Sequence, residues 1–422
     1  MLIMVSIIWP FSTMSKYLST LETAARLGIS RQTLYAYVSR GLLQSLPSDT
    51  PRESRYLESE VERLALKRRR GRKSKDVARA TLDWGFPVLE SSITLIHDQR
   101  LYYRGLDAIA LAETMTLEDV AAHLWQMPKA IAFGDNQPLE PTRQAALTKL
   151  PAERFEQSML RDFTLASEDI GTAAWQRSPE RIAAGCGTLV RLLAACLLNS
   201  QPSEEPIHVQ CAKKWKLDAD GAELIRMALV LCADHELNTS SFVARCVAST
   251  GASLRAAVIA GLAALTGSRH GGTTARGEAL WEELGESEPI AKLRARLARG
   301  EDLPGFGHHI YPNGDPRAVA LLTRVLSHHE QWQAFIDEGA TLVGARPSVD
   351  LALVALRRHL KLPVGAAFGL FALGRSVGWI AHAIEQRTMS DLIRPRAAYV
   401  GPAPTLSQKE QLASPKGRRR EI

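Results

Sequence analysis

Three histidines lie in glycine-rich or acidic segments, where the backbone can approach a bound molecule closely. His235 belongs to the segment DHELNTSSF, His270 to SRHGG and His308 to LPGFGHHIYPNGDPR. Glycine permits such an approach because it carries no side chain. One histidine in such a segment is most often a hydrogen-bonded loop residue, but three of them together indicate a site for a ligand or a reaction.

The spacing of the same residues excludes several common kinds of active site. His235 and Glu236 are followed by Thr239 where a zinc protease has the second histidine of His-Glu-x-x-His. The sequence has no P-loop, no Gly-x-Gly-x-x-Gly after a strand and no Gly-x-Ser-x-Gly motif. Its five cysteines are scattered without a Cys-x-x-Cys pair, which excludes a disulfide scaffold and a thiolate zinc ribbon. Such cysteine usage fits a reducing cytoplasm.

Helices must position these histidines, because apolar residues recur at intervals of three and four after residue 80. Strand-like alternation is nearly absent, and no fixed repeat indicates a solenoid. The sequence therefore predicts a mainly α fold. Its clearest predicted helices are Arg181–Leu198, Asp218–Asp234, Ser253–Leu265, Pro289–Ala298 and Val349–Leu360.

The positive charge of the chain is concentrated at its N-terminus. The formal net charge is +7, and residues 1–79 hold 15 Lys and Arg against 7 Asp and Glu, so the remainder is nearly neutral. Much of the excess lies in the run KRRRGRKSK at residues 67–75. A basic segment beside a neutral body favours a polyanionic partner, since phosphate neutralisation supplies most of non-specific nucleic-acid affinity. A solvated linker is the alternative.

Two short helices are predicted just before this basic run. Thr20–Leu27 has a helical pattern that ends at Gly28, and a second helix is expected from an N-cap at Ser30 as far as Arg40. This arrangement is a helix-turn-helix. Its second helix would present three side chains to a DNA groove and backbone, namely Arg31, Gln32 and Arg40.

The same segment resembles the MerR-type winged helix-turn-helix. The resemblance rests on YLSTLETAARLGISRQTLYAYVSRGLLQ, followed by SRYLESEVERL, and covers about 55 residues. It implies binding to duplex DNA, although such motifs also serve in protein–protein docking.

Seven segments of the body, in chain order, resemble the citrate synthase family. They are LYYRGLD, DHELNTSSFVARCVASTGAS, LTGSRHGG, PGFGHHIYPNGDPRA, SVD, LFALGRSVGWIAHAIEQ and IRPRAAYVG, and they span about Leu82 to Gly401. The resemblance implies a large and a small helical domain. The expected divisions are a helix-turn-helix domain at 14–66, a basic linker at 67–80, a large domain at 81–271 and 366–404, and a small domain at 272–365.

Both ends of the chain are expected to lie outside these domains. Residues 1–13 are apolar but too short for a membrane span, which needs about 20 residues. They also lack the features of a signal peptide, so we interpret them as an over-extended start without structure. The tail at 405–422 is polar and basic, and we expect it to be disordered. A cytoplasmic protein without membrane or export segments is the prediction.

The citrate synthase resemblance implies an acyltransferase that condenses acetyl-CoA with oxaloacetate and hydrolyses the product to citrate and CoA, the entry to the tricarboxylic acid cycle. The matching catalytic positions are His270, His308 and Asp350. In the family, the aspartate removes a methyl proton, the first histidine stabilises the enolate oxygen and the second polarises the keto carbonyl. Acetyl-CoA is a substrate, and neither a cofactor nor a metal is expected.

The resemblance also implies the residues that hold the two substrates. Oxaloacetate carries two carboxylates, which arginine forks match bidentately. The matching positions are His235, Arg317, Phe371, Arg375 and Arg394, the last reaching across from the partner subunit of a homodimer. The positions that match the CoA-binding stretch are Leu303, Pro304, Gly305, Phe306 and Gly307.

Three of these residues have simpler explanations that the sequence leaves open. Asp350 precedes an apolar helical run and would also serve as a helix cap. Arg317 and Arg394 stand beside prolines, where arginines are commonly exposed. Arg375 differs, because it lies within the apolar run LFALGRSVGW and is expected to be buried. A buried arginine needs an anionic partner, which favours a ligand role.

The sequence departs from the family pattern near two catalytic positions. Thr273, Thr274 and Ala275 replace the usual Ala-Asn-Glu, and Ser348 replaces an asparagine. Two alternatives therefore stay open beside citrate synthesis. One is a metabolite-sensing DNA-binding regulator with a weakly active synthase body, and the other is a 2-methylcitrate synthase that uses propionyl-CoA.

Overall fold

The structure is a computed structural model, and its residues divide into two compact units, Met1–Leu89 with Arg396–Ile422 and Glu90–Pro395. The described residues are 17–39, 43–47, 54–58, 60–62, 64, 89–134, 138–148, 155–169, 171–285, 287–389, 391–397 and 399–402. Several predicted features lie outside them, namely the start at 1–13, Arg40, the basic linker at 67–80 and the tail at 405–422.

The first unit contains two short helices joined by a tight turn. Helix α1 (Thr20–Leu27) begins with a capping box, in which the side chains of Ser19 and Glu22 each bond to the backbone of the other. It ends at Gly28, whose φ of 60° suits a residue without a Cβ. Helix α2 (Arg31–Ser39) follows, with the Ser30 hydroxyl accepting from the Thr33 amide at 3.1 Å. These bounds agree with the expected pattern.

A small antiparallel sheet completes the described part of this unit. Strands β1 (Tyr17–Ser19), β2 (Leu46–Pro47) and β3 (Ser54–Leu57) pair in the order β1-β3-β2. The sheet and the two helices share one apolar core, formed by Ala24, Leu27, Leu34, Leu43, Tyr56, Val61 and Leu64.

The second unit is mainly helical, with sixteen helices among its described residues. They are α3 (Ala108–Thr114), α4 (Leu117–Trp125), α5 (Lys129–Ala132), α6 (Pro141–Thr148), α7 (Phe155–Ala166), α8 (Pro179–Leu198), α9 (Ile207–Trp215), α10 (Ala219–Leu231), α11 (Thr239–Ser249), α12 (Leu254–Leu265), α13 (Thr273–Leu284), α14 (Pro289–Ala298), α15 (Pro316–Leu326), α16 (Glu330–Val343), α17 (Val349–His359) and α18 (Ala366–Thr388).

All five helices named from the sequence are present, and one of them ends earlier than expected. The pattern predicted a helix as far as Asp234, but α10 ends at Leu231. The next carbonyl oxygens are taken by α18, because Arg375 Nε donates to Cys232 O and Gly378 N donates to Ala233 O, each at 2.9 Å. Tertiary hydrogen bonds therefore replace the last turn.

The prediction that the body has almost no strands is correct for its described residues, except for one small sheet. Strands β4 (Thr94–His97), β5 (Arg100–Tyr103) and β6 (Leu106–Asp107) are antiparallel and follow one another in space. Each is only two to four residues long, which is too short for alternation to stand out in the sequence.

Helix α18 forms the centre of the body, packed against α4, α8, α10, α11, α12 and α17. It closely approaches the segment that follows α10 at Gly378, where an added Cβ would lie 2.2 Å from Asp234 Oδ1. Helices α8 and α18 are long and apolar enough to cross a membrane, but 72% and 94% of their apolar windows are buried inside the body. We therefore interpret both as core helices, which pass the same test of length and composition.

Candidate active site

Two of the three predicted histidines lie side by side with a tyrosine. The ring centroids of His235 and His308 are 5.1 Å apart, and His235 Nε2 is 3.0 Å from the hydroxyl of Tyr311. The Tyr311 ring lies 5.0 Å from that of His308 and 5.9 Å from the guanidinium carbon of Arg317. Sequence reasoning missed Tyr311, although it follows His308 by three residues in the same glycine-rich segment.

The third histidine, His270, is held by a chain of hydrogen bonds from α11 and α18. Its Nε2 is 2.8 Å from Ser240 Oγ, which accepts from Trp379 Nε1 at 3.0 Å and lies 2.7 Å from Asn238 Oδ1. Tryptophan can only donate, so Ser240 has one proton to offer to Asn238 or to His270. When Ser240 donates to His270, the imidazole proton resides on Nδ1, which can then donate to a ligand.

All three imidazoles are held in the neutral form. Burial and the nearby Arg375 lower the pKa of His270 to about 4, and burial and Arg317 do the same to the pKa of His308. Burial and Arg317 also lower the pKa of His235 well below its ordinary value. Neutral imidazoles near cations can donate hydrogen bonds to substrate oxygens without adding charge.

Asp350 lies in the first turn of α17 with one oxygen unpaired. Ser348 Oγ donates to its Oδ2 at 3.3 Å, while Oδ1 is buried and has no hydrogen-bond partner among the described residues. The N-cap position is occupied by Ser348, so the alternative that Asp350 is merely the helix cap is wrong. Burial raises the pKa of Asp350 to about 6, although Arg317 opposes the rise. A buried carboxylate with a free oxygen and a raised pKa is suited to accept a proton.

Two of the three predicted substrate arginines are buried, at 2% exposure for Arg317 and 1% for Arg375. Arg317 donates from Nε and Nη2 to the two oxygens of Asp315, at 2.9 and 2.7 Å. Arg375 donates from Nε to the carbonyl of Cys232, and its guanidinium carbon lies 4.9 Å from the ring centroid of Phe371.

Arg375 differs from Arg317 in having no carboxylate within ion-pair distance among the described residues. Burial lowers its pKa, since the charged form is desolvated. A buried guanidinium without an ion pair is expensive in free energy unless an anion arrives to neutralise it. The environment of Arg375 beside Phe371 is therefore suited to an anionic ligand.

The loop predicted to bind CoA packs against the segment that leads to Asp350. Gly307 N donates to Arg346 O and Ser348 N donates to Gly305 O, both at 2.8 Å. Gly305 has a φ of 90°, and an added Cβ would lie 2.9 Å from the Leu351 side chain, so only glycine fits there. Leu303, Pro304 and Gly305 are buried, Phe306 is half-buried and Gly307 is exposed.

The structure does not bring the last predicted substrate residue to this cluster. Arg394 is exposed in the extended segment 391–397 and has no hydrogen bond or ion pair with the residues that the structure describes. Its expected partner was the site of a second subunit, which a single chain leaves untested.

Sequence reasoning also missed a buried acid beside His235. The Asp234 carboxylate accepts from Thr94 Oγ1 at 2.5 Å and from Glu236 N at 3.0 Å, and lies 3.3 Å from His382 Nε2. Burial alone would raise the pKa of Asp234, but His382, Arg375 and Thr94 together outweigh burial and keep the pKa low. The signals were present in the motifs, as the acid directly before His235 and the histidine of WIAHAIEQ.

Comparisons with known proteins agree with this arrangement. The model of the family described as "Citrate synthase, C-terminal domain" matches residues 81–396. The chain is 28% identical over 356 residues to "Citrate synthase 2" of Bacillus subtilis, with 75% of this chain and 95% of the relative covered. It is 34% identical over 187 residues to "2-methylcitrate synthase" of Mycobacterium tuberculosis, which covers 41% of this chain and 47% of the relative.

A solved structure is similar over most of the chain. The crystal structure of citrate synthase from Thermotoga maritima superposes with a TM-score of 0.65 and 26% identity, covering 80% of this chain and 98% of that one. The family model matches well over half of the sequence, and the chain therefore belongs to the citrate synthase family.

Proposed function

We propose that this protein is an acyltransferase that condenses acetyl-CoA with oxaloacetate and hydrolyses the citryl thioester to citrate and CoA. The observation that carries the proposal is that His235, His308 and Arg317 surround the Tyr311 ring. Asp315 joins Arg317 to the backbone directly before Asp350, and Arg375 is close enough to lower the pKa of His235. The free donors of Arg317 and the guanidinium of Arg375, which has no ion pair among the described residues, suit the two carboxylates of a keto acid. The unpaired carboxylate oxygen of Asp350 suits removal of a proton.

The first chemical step is proton removal from the acetyl group. Asp350 Oδ1 takes a proton from the thioester methyl, and His270 Nδ1 donates a hydrogen bond to the thioester oxygen, where the electron pair accumulates. A positioned base contributes about 10²–10⁴-fold, and one preorganised donor at an oxyanion contributes about 3 kcal/mol. No bound metal is needed for either contribution.

The second step forms the carbon–carbon bond. The enolate carbon attacks the keto carbon of oxaloacetate, and a carbon–carbon bond forms as the carbonyl π bond breaks. The carbonyl oxygen becomes a hydroxyl with a proton passed on by the neutral His308, which takes up a replacement proton from water. Arg375, Arg317 and His235 hold the two carboxylates, with Phe371 against the substrate. Water then cleaves the thioester, which releases citrate and CoA. The loop at 303–307 would hold the CoA.

The reaction is tested by the release of free thiol. We expect purified protein to release CoA from acetyl-CoA only when oxaloacetate is present, because the thioester is hydrolysed only after condensation. Folded protein that releases no thiol would instead favour the metabolite-sensing alternative. Propionyl-CoA should be assayed beside acetyl-CoA, since similarity to a 2-methylcitrate synthase favours this second substrate. Higher kcat/KM for propionyl-CoA would assign that reaction.

We also propose that the first unit is a winged helix-turn-helix that binds duplex DNA. Arg31 and Gln32 are exposed at the start of α2, and Tyr35 is 54% exposed one turn later. These three side chains form one face at the helical spacing that major-groove readers use. The other side of α2 is buried through Leu34, so this face is the one available to DNA.

The protein is proposed to act as a homodimer, which would bring Arg394 of one subunit to the site of the other. Two DNA-binding units would then fit palindromic half-sites about 34–36 Å apart. Sedimentation should give twice the mass of the chain. A monomer that is fully active would contradict this assembly and the role of Arg394.

DNA binding is tested with the full chain at several salt concentrations. We expect affinity for duplex DNA to fall steeply with salt, and the double variant Arg31→Ala, Gln32→Ala to weaken it about tenfold or more. Arg26→Ala is the matched control, since Arg26 is an exposed arginine of α1 that pairs with Glu62 at 2.8 Å. Equal losses in both variants, or none in either, would remove α2 from DNA recognition.

A further inference from the structure

We propose that Asp315 is a positioning residue, which uses one carboxylate to fix both the guanidinium of Arg317 and the turn of α17 that carries Asp350. The inference rests on the proposed function, because it assigns substrate binding to Arg317 and proton removal to Asp350. Asp315 lies within the segment PGFGHHIYPNGDPRA, but no role was assigned to it there or in the catalytic scheme.

All four contacts of the Asp315 carboxylate are made within the site. Oδ1 accepts from Arg317 N at 3.0 Å and from Arg317 Nε at 2.9 Å. Oδ2 accepts from Arg317 Nη2 at 2.7 Å and from Val349 N at 3.2 Å. Val349 is the first residue of α17, directly before Asp350. One buried side chain therefore bonds to the substrate arginine and to the backbone beside the base.

The simpler explanation is that Asp315 is only the N-cap of α15, since its side chain accepts from Arg317 N. An N-cap needs one oxygen, and serine, threonine or asparagine provides it without burying a charge. Asp315 is 1% exposed and Arg317 is 2% exposed, so their ion pair is desolvated on both sides. A buried ion pair is weak support for stability alone, which favours a role in fixing geometry.

The geometry decides which part of Arg317 remains for a substrate. Nε and Nη2 are directed at Asp315, so the fork formed by these two nitrogens is occupied. Nη1 and the second proton of Nη2 are left to meet a carboxylate. The ring of Tyr311 lies 5.9 Å from the guanidinium carbon and its hydroxyl reaches His235. Rotation of Arg317 would therefore disturb Tyr311 and, through it, His235 in the proposed oxaloacetate site.

The negative charge of Asp315 also affects the pKa of Asp350, the proposed base. Its carboxylate raises the pKa of Asp350, while Arg317 lowers it and burial raises it most. Burial raises the pKa of Asp315 itself, but its ion pair with Arg317 outweighs burial and keeps the carboxyl ionised. Removal of this negative charge should make Asp350 a weaker base that ionises at lower pH.

The test compares Asp315→Asn and Asp315→Glu with the wild type in steady-state kinetics. The side-chain amide of asparagine has one accepting oxygen, whereas its nitrogen can only donate. A single oxygen cannot replace both carboxylate oxygens, so either Arg317 Nε or Val349 N loses its acceptor. We expect Asp315→Asn to raise the KM for oxaloacetate about tenfold or more, with little change in the KM for acetyl-CoA. The acidic limb of its kcat/KM profile should move to lower pH. Asp315→Glu, which keeps the charge but not the geometry, should raise the same KM without that downward shift.

The sign of the effect separates positioning from simple neutralisation. If Asp315 only cancelled the charge of Arg317, its removal would leave a free cation and tighten the binding of a dianion. A lower KM for oxaloacetate in Asp315→Asn would therefore overturn the proposal. An unchanged KM and pH profile in a folded variant would also overturn it and leave Asp315 as a structural cap.

A matched control is available at another capping aspartate. Asp107 caps α3 through the amides of Ile109 and Ala110, and it accepts from Arg100 Nε and Nη2 at 3.0 and 2.6 Å. Asp107→Asn removes a cap and an arginine pair that contact none of the proposed catalytic residues, and should lower the melting temperature without changing KM. If wild type releases no CoA, the proposed function fails. If wild type is active and Asp315→Asn behaves as Asp107→Asn does, only the inference on Asp315 fails.

Discussion

Asp350→Asn should reduce turnover to a small residual rate and leave a folded protein that is more stable than the wild type above pH 6. An asparagine cannot take the methyl proton, so kcat should fall by about 10²–10⁴-fold. The KM for oxaloacetate should change little, because Arg317 and Arg375 are retained. The measurement is CoA release, with the KM taken from the residual rate. Retained activity in the variant would remove Asp350 from the role of base.

The stability gain follows from the pKa of Asp350. An unfolded aspartate titrates near 4, whereas burial raises the pKa of Asp350 to about 6 in the folded chain. Below both values the carboxyl is protonated in either state, so the substitution changes little. Above pH 6 the wild type must bury an ionised carboxylate whose Oδ1 has no partner among the described residues. The variant avoids this penalty, which is on the order of 2 kcal/mol.

The difference in unfolding free energy between Asp350→Asn and the wild type should therefore develop as the pH rises from about 4 to about 6. It should remain constant above pH 6. Denaturant titrations of both proteins at pH 4 and pH 8 measure it. The kcat/KM of the wild type should depend on the ionisation of Asp350. It should fall on the acidic side of the pH profile with an apparent pKa near 6. A variant that is less stable than wild type at pH 8 would contradict this account of the Asp350 environment.

The sequence predicted the helices well because their signals are local. Capping residues and apolar spacing are properties of neighbouring positions, and α1 ends at Gly28 as its left-handed C-cap required. The end of α10 was wrong because it depends on Arg375 and Gly378, more than 140 residues later in the chain. Tertiary hydrogen bonds of this kind leave no periodic trace in the sequence.

The candidate site shows the same division between local and tertiary information. Histidines in glycine-rich breaks and an arginine in an apolar run were visible, and Arg375 is buried as that run predicted. Ser240 and Tyr311 were not recognised, because each contacts a histidine that is distant in the sequence. Trp379 was missed because it acts on His270 only through Ser240. Residue types reveal which groups can react, whereas the hydrogen bonds that orient them emerge only from packing.

Arg375→Met should weaken oxaloacetate binding strongly while leaving the protein as stable as the wild type or more so. The guanidinium is buried without a carboxylate partner among the described residues, and burial lowers its pKa. Loss of a charged contact in a desolvated site costs about 3–5 kcal/mol of binding, so the KM for oxaloacetate should rise about 10²–10⁴-fold. Methionine fills a similar volume and removes an uncompensated charge, at the loss of one hydrogen bond to Cys232 O.

Arg245→Met is the matched control for this substitution, since Arg245 is equally buried but already paired. It donates to Glu385 Oε2 at 2.6 Å and to Gln386 Oε1 at 2.9 Å. Its removal leaves Glu385 without its charge partner, and the free energy of unfolding should fall by about 3–5 kcal/mol. Opposite changes in stability would identify Arg375 as the buried cation reserved for substrate. Equal destabilisation in the two variants, with an unchanged KM in Arg375→Met, would instead show that Arg375 holds the core together and does not bind oxaloacetate.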